Sequence, residues 1–480
     1  MDTDFKYFFS RRRLLQATVS IVSTTLLSAG SSPASEVDER ELKAAHGRAS
    51  LAGPDRPWTT VWAYDGTVPG PTLRVQQGRP LRITVENGLD EDTTTHWHGI
   101  RLPNAMDGVP GLTQKPIKPG ENFVYEFTPP DAGTFWYHPH ADSLVQLGRG
   151  LAGALIVEEA EPIVVDRDLL WLLQDWRLTD DKQLGTRFGS AMDAAMAGRV
   201  GNVVTINGTV PVDQLVKAGE RVRLRLVNAC LARMVALRFE GHRPVTVAID
   251  GQPCDPHEPE DGRLMLAPAM RIDIVIDMRG DPGKRFAVID DFYDGLAYTL
   301  TTLAYDTAPP LRAHPLDAPV ALRRNPLPEP DLVKAERQEI VLQGGMMGGG
   351  KLAGVGGMMG MATPGMNGGA AWAINGMSMT GDGHAGMAPQ FTLKRGATCH
   401  LTMRNETAWW HPMHVHGFSL LVLARNGSPV PNRQWQDTVL LAPKDTIECA
   451  FVADNPGDWM LHCHVADHQM AGLMTVFRVT

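Results

Sequence analysis

The 480-residue chain is poor in cysteine, has no basic run beyond its first fifteen residues, and has no apolar stretch after its N-terminal segment that could cross a membrane. Each absence excludes a class of function. Lys and Arg number 45 against 54 Asp and Glu, for a net charge of -9; neutralising phosphates needs a clustered basic surface, so no nucleic acid is expected as a partner. The five cysteines, Cys230, Cys254, Cys399, Cys449 and Cys463, are odd in number and contain no CxxC pair. That disfavours a zinc ribbon and a dense disulfide framework, and leaves at least one thiol over. Pairing among the first four stays open. Hydrophobic residues make up 43% of the chain, enough for real cores, and at roughly 150 residues per domain the length suggests about three domains. No oligomerisation signal is visible, and a monomer is expected.

Residues 1–34 read as an export signal. Arg11-Arg12-Arg13 precede a mildly apolar run from Ala17 to Leu27 and then the small-residue stretch Ala29 to Ala34. Basic, apolar and small segments in that order match a secretory signal, and the paired arginines match the twin-arginine type. The apolar run falls short of the ~20 residues a membrane span needs. The mature protein is therefore expected in the periplasm, with no membrane span.

What the chain does have is a repeat. Asp65-Gly66, Gly78 and Asn87 punctuate the alternating run Leu81–Val85; Asn207-Gly208, Gly219 and Asn228 punctuate Val222–Leu226; and Asn375-Gly376, Gly396 and Asn405 punctuate Cys399–Met403. Period-two alternation between turn residues marks half-buried strands. The copies end alike, at Gly133-Thr134-Phe135, Gly283-Lys284-Arg285 and Gly457-Asp458-Trp459. These features predict an all-β protein of three sandwich domains, residues 50–160, 163–310 and 336–480, with the Pro-rich stretch 311–335 as linker.

Histidine falls on this pattern. His96 and His98 begin nine residues after Asn87, as His414 and His416 do after Asn405. His138 and His140 begin five residues after Gly133, as His462 and His464 do after Gly457. The middle copy has Leu237, Phe239 and Val288 at the corresponding places. Alternate residues of a strand share a face, so each His-x-His sends two rings to one side. The third copy adds His411, Cys463 and His468, the His2Cys set of a blue copper electron-transfer site. His46, His242, His257, His314, His384 and His400 lie outside the clusters and are expected to be satisfied core residues or surface residues.

At these residues the sequence resembles the multicopper oxidases, over essentially the whole mature chain, and within them the three-domain laccase-type branch. The resemblance implies cupredoxin-like Greek-key domains and four copper ions. His411, Cys463 and His468 would hold type 1 copper; His96 and His414 would hold type 2 copper; and His98, His138, His140, His416, His462 and His464 would hold the type 3 pair. It implies O2 as electron acceptor and a trinuclear site between the first and third domains, with the second as spacer. Asp107 falls where the family places an acid, and is expected to act as a proton relay. Two positions depart from the family pattern. The axial-Met position is Leu473, between Met470 and Met474, and the position of a second acid is Gln469.

Residues 344–387 hold Met346, Met347, Met358, Met359, Met361, Met366, Met377, Met379 and Met387, nine of the chain's 22 methionines, among Gly, Ala, Thr and Asn. Such a segment lacks the bulk for a core and predicts a mobile insertion in the third domain. Thioethers select Cu(I), and a similar insertion marks bacterial cuprous oxidases, so these methionines are candidates for binding substrate Cu(I). Thr407-Ala408-Trp409-Trp410 and Leu473 favour instead a small phenolic substrate or an aromatic amine, as in laccases. A copper-buffering protein without turnover is the third reading.

Overall fold

The computed structural model describes residues 37–347, 370–381, 384 and 386–480. They form six β-sheets, two for each repeat. In the first sheet of each pair, the strand foreseen from alternation is Leu81–Gly88, Arg221–Asn228 or Thr398–Asn405. Each runs parallel to the strand Asp38–Ala49, Arg167–Trp176 or Glu336–Gly344, and antiparallel to Asn122–Phe127, Arg271–Asp277 or Thr446–Val452. The repeated punctuation has a physical cause. The Asp/Asn-Gly pairs all have positive φ at both residues, the geometry of a type I′ turn, which Asn, Asp and Gly tolerate best. Each closing asparagine is buried and pins the loop after its strand. Asn87 Nδ2 donates to Glu91 O and Ile117 O, Asn228 to Arg233 O and Leu266 O, and Asn405 to Trp409 O and Ala442 O.

The second sheets carry the histidines. His96–His98 pairs with Gly133–His138 so that His96 faces His138, and His411–Val415 pairs with Gly457–Cys463 so that His414 faces His462. In the middle repeat Leu237 faces Asp290 rather than Val288. This two-residue slip keeps the same sheet face, and it accompanies a bulge between Val288 and Ile289 on the other edge of that strand. Two large cores fill the sandwiches: one around Trp97, Tyr125 and Tyr137 in the first repeat, and one continuous through the second and third, from Leu226 and Ile274 to Trp372 and Phe477.

The Pro-rich stretch after Tyr305 is held by polar side chains. Asn325 accepts from Ala132 N and donates to Ala132 O and to Gln252 Oε1, so the stretch is bolted to the first two repeats at once. Among the described residues the only α-helices are Ser143–Arg149, Ala191–Ala195 and Ala466–Met470, all in connections.

Candidate metal centre

Strand parity divides the chemistry of the third repeat. On the paired strands His411–Val415 and Gly457–Cys463, His411 and Cys463 have the parity of one face, and His414 and His462 that of the other. The odd-numbered set forms a compact trigonal group with His468, which the buried helix Ala466–Met470 carries. Cys463 Sγ lies 3.5 Å from His411 Nδ1 and 3.7 Å from His468 Nδ1, and the two nitrogens are 3.2 Å apart. The far side of each ring is held. His468 Nε2 donates to Met196 O of the middle repeat at 2.7 Å, and His411 Nε2 is hydrogen-bonded to Thr407 Oγ1 at 2.9 Å. Both Nδ1 atoms are thereby left facing the sulfur.

The even-numbered set meets the first repeat in a second cluster of eight imidazoles. Here too an outer nitrogen is tied to oxygen on most rings. His96 Nδ1 donates to Asp107 O at 2.7 Å and His416 Nδ1 to Asp107 Oδ2 at 2.8 Å. His414 Nδ1 donates to Asp437 O at 2.9 Å, and His98 Nε2 reaches Asp437 Oδ1 at 3.1 Å. His138 and His462 donate from Nδ1 to the carbonyls of Pro139 and Cys463. The inner nitrogens then face one another: His416 Nε2 and His462 Nε2 are 3.1 Å apart, and the pairs His96/His414 and His138/His464 are 3.4 Å apart. Where both outer nitrogens carry the proton, the inner pair is two lone pairs in near contact, which repel unless a cation lies between them. Two imidazoles each about 2 Å from one metal hold their nitrogens about 3 Å apart. His98 Nδ1, His464 Nδ1 and both nitrogens of His140 are buried with no hydrogen-bond partner.

Electrostatics fit the same reading. Burial first, then neighbouring imidazoles, push His98, His138, His140, His411, His416, His462 and His464 well below the ordinary imidazole range. Rings kept neutral offer lone pairs to a metal. Burial pushes the Cys463 thiol up, and its one described polar donor is the Val465 N–H at 3.4 Å, so a bound cation is what would make it a thiolate. One thiolate with many imidazoles suits copper. Among the described residues five buried groups of three donors, His96/His414/His416, His96/His98/His138, His140/His416/His462, His411/Cys463/His468 and His98/His414/Asp437, have all their ligand atoms within 4.8 Å of one another.

Three sequence models of the multicopper oxidase family match residues 48–162, 167–308 and 362–480. The crystal structure of a multi-copper oxidase from Pseudomonas thermotolerans superposes with a TM-score of 0.80 at 35% identity, covering 93% of this chain and 100% of that one. The chain belongs to the multicopper oxidases. Multicopper oxidase MmcO of Mycobacterium tuberculosis is 29% identical over 89% of this chain and 84% of its own length. Copper resistance protein A of Escherichia coli is 30% identical over 56% of this chain and 51% of its own.

In this multicopper oxidase the structure brings together all ten histidines singled out in sequence, with Cys463 and Asp107. The two departures from the family pattern are both buried. Leu473 packs in the same core as Cys463, whereas Met474 packs with Val109 and Met460, away from that sulfur. Gln469 is buried with Nε2 unpartnered.

The candidate methionines separate. Met346 and Met347 are exposed, and Met346 N donates to Ala195 O while Met346 O accepts from Trp409 Nε1. Met377 is exposed, while Met379 and Met387 are partly buried and pack against Val109, Met460 and Met474. Met358, Met359, Met361 and Met366 lie outside the described residues, as does the N-terminal export pattern. Trp372, inside the expected insertion, belongs to the fold: its strand Trp372–Ile374 pairs with Glu336–Gly344, and its ring stands 5.0 Å from His411 and 4.4 Å from His468.

His384, expected to be a satisfied core residue or a surface one, is neither. It is buried with both ring nitrogens unpartnered, and its ring centroid is 6.0 Å from that of His140. Asp437 was missed because no repeat-matched motif contains it; its one sequence signal is a lone acid in the otherwise uncharged run Trp435–Leu441. All five cysteines are buried free thiols.

Proposed function

We propose that this multicopper oxidase couples one-electron oxidation of a substrate beside Cys463 to reduction of O2 to water at the histidine cluster, and that its substrate is Cu(I), oxidised outside the cytoplasm in copper tolerance. In this reading His411, Cys463 and His468 hold type 1 copper, His96 and His414 hold type 2, and His98, His138, His140, His416, His462 and His464 hold the type 3 pair. Four copper ions so held would supply one-electron redox chemistry, one at Cys463 taking electrons singly from substrate and three at the histidine cluster pooling four of them for O2.

The observation that carries the reading is the run His462-Cys463-His464. It puts the thiol on one face of a strand and two cluster imidazoles on the other, so a single residue of backbone separates the centres. The residues' own work is largely orientation. Asp107 fixes His96 through its carbonyl and His416 through its carboxylate, and it carries the proton relay foreseen in sequence. Burial of both sites excludes bulk water, which strengthens each interaction inside them.

The cuprous substrate is supported by the exposed thioethers of Met346 and Met347 next to Trp409 and the His411 loop, and by a relative whose name is copper resistance protein A. A second reading, oxidation of phenols or aromatic amines, is favoured by Trp410. It leans on Phe292 at 5.5 Å just before His411 and offers an aromatic wall. Oxygen uptake by the copper-loaded mature protein, with Cu(I) or a simple phenol as donor, decides between them: faster uptake with Cu(I) is expected, and a preference for the phenol would make the protein a laccase. Cys463→Ser should abolish uptake with either donor while leaving the protein folded; retained uptake would refute the electron path.

A further inference from the structure

The middle repeat contributes no imidazole, yet one of its side chains reaches the cluster. Arg271 opens the strand Arg271–Asp277 and is fully buried. Its guanidinium forks onto the carboxylate of Asp437 in the third repeat, with Nη1 donating to Oδ1 at 2.8 Å and Nη2 to Oδ2. Two further donors are used, Nε on Thr134 O of the first repeat at 3.2 Å and Nη1 on Ala269 O at 3.1 Å. Asp437 passes the constraint on: its Oδ1 meets His98 Nε2 at 3.1 Å and its carbonyl accepts from His414 Nδ1 at 2.9 Å. Behind the fork Asp250, also of the middle repeat, accepts the backbone N–H of Arg271 at 3.0 Å and of Thr438 at 2.9 Å. Eight hydrogen bonds thus join all three repeats around Arg271, Asp437 and Asp250.

The local sequence is shaped to admit this arrangement. Gly99 directly follows His98, and a Cβ there would lie 2.3 Å from Arg271 Nη2 and 2.5 Å from Asp437 Oδ2. Only a residue without a side chain lets the guanidinium pass.

We propose that Arg271 is a positioning residue for the copper cluster. Through Asp437 it holds the outer nitrogens of His98 and His414, so that His98 presents Nδ1 and His414 presents Nε2 inward, and it does so from a domain that supplies no ligand. The middle repeat is then more than a spacer. Two imidazoles from different repeats lean on one aspartate, His98 on its carboxylate and His414 on its carbonyl, and a planar fork fixes that aspartate in a way that a point charge on a flexible stem cannot. Groups that orient metal-binding imidazoles typically change metal affinity about 10–100-fold when replaced. The inference rests on His98 and His414 being copper ligands.

The test uses full-length mature protein, parent and variants Arg271→Met and Arg271→Lys. Each is loaded with copper, passed through size exclusion to keep only folded material, and dialysed against graded concentrations of a copper chelator. The readouts are copper per protein, the absorption of the Cys463 thiolate–copper bond, and the paramagnetic signal of the isolated cluster copper. For Arg271→Met the expectation is cluster copper held about 10–100-fold more weakly, with the Cys463 absorption retained. Arg271→Lys, which keeps the charge but not the fork, should fall between; if Arg271→Met does not fold, Arg271→Lys decides. Parental retention of cluster copper in a folded variant would overturn the proposal, as would loss of both copper sites in parallel, the mark of a merely structural role. A parent that takes up no cluster copper would instead fail the copper reading itself.

Discussion

Replacing Gly99 with alanine should destabilise the metal-free protein far more than a glycine-to-alanine change of matched backbone geometry elsewhere. Gly99 has φ +85°, and Gly66, in a surface turn, has φ +72°. An L-residue in the left-handed region costs roughly 1–2 kcal/mol, and that cost applies at both positions. At Gly66 nothing lies within 4 Å of the added Cβ, whereas at Gly99 it lands on Arg271 Nη2, on Asp437 Oδ2 and, at 3.1 Å, on Phe135 Cδ1. The Arg271–Asp437 pair has both side chains fully buried, so the fork cannot yield into solvent. Breaking a buried pair costs about 3–5 kcal/mol, which puts Gly99→Ala at roughly 4–7 kcal/mol against about 1–2 for Gly66→Ala. That difference is a large part of the ~5–15 kcal/mol stability of a typical protein. Urea unfolding of both metal-free variants and the parent, followed by tryptophan fluorescence, measures it. A Gly99→Ala midpoint matching that of Gly66→Ala would refute both the close approach and the rigidity assigned to the fork.

Arg225 bridges the first two repeats, with Nε and Nη2 on Asp168 at 2.7 Å each and Nη1 on Thr134 Oγ1 at 3.0 Å. Nη1 also donates to Asp273 Oδ2 at 3.3 Å, an oxygen that Arg223 Nη2 reaches at 2.7 Å. Arg225→Met should cost about 3–5 kcal/mol in the same unfolding assay, because Asp273 and Asp168 lose a buried counter-charge; a change under 1 kcal/mol would show that Arg223 suffices. Deleting residues 348–369, which spares Trp372 and both flanking strands, should lower oxygen uptake on Cu(I) several-fold and leave uptake on a phenol intact; unchanged cuprous activity would remove the deleted methionines from the substrate path. Burial holds His242 below the ordinary imidazole value, with Nδ1 donating to Glu240 O and Nε2 bonded to Tyr305 Oη. The unfolded chain therefore binds the proton more readily, and the stability His242 contributes is present above the unfolded pKa near 6.5 and lost as pH falls below it. His242→Asn should flatten the fall in stability between pH 7 and 5, and identical pH profiles for parent and variant would count against this assignment.

The fold and the convergence of the ten histidines and Cys463 were legible because both rest on local periodicities. Punctuation by Asn-Gly turns and closing asparagines reports hydrogen bonds made within a few residues or to an adjacent strand, and His-x-His reports a strand face. What could not be read depends on contacts between distant segments. Asp437 matters because Arg271, 166 residues away in sequence, packs beside it, and a lone acid in a strand carries no mark of that partner. His384 lies in a segment whose composition suggested only a loop, so its place beside His140 had no periodic signal. The methionine-rich stretch was read as one unit on composition. Trp372 and the pairing of its strand show that composition blurred a structural boundary, since a Gly- and Met-rich sequence can still contribute a buried strand edge.

Two of the nitrogen–nitrogen approaches in the cluster join residues separated by 318 and 326 positions, His96 to His414 and His138 to His464. No early portion of the chain can build this centre. The first repeat leaves synthesis with four imidazoles and no counterparts, and the cavity exists only after the last strand, Met474–Val479, has paired with Gly457–Cys463 and the third repeat has docked on the first. Competence to bind the cluster metals is thus a report on complete assembly: a truncated or misdocked chain could display every local motif and still lack the site.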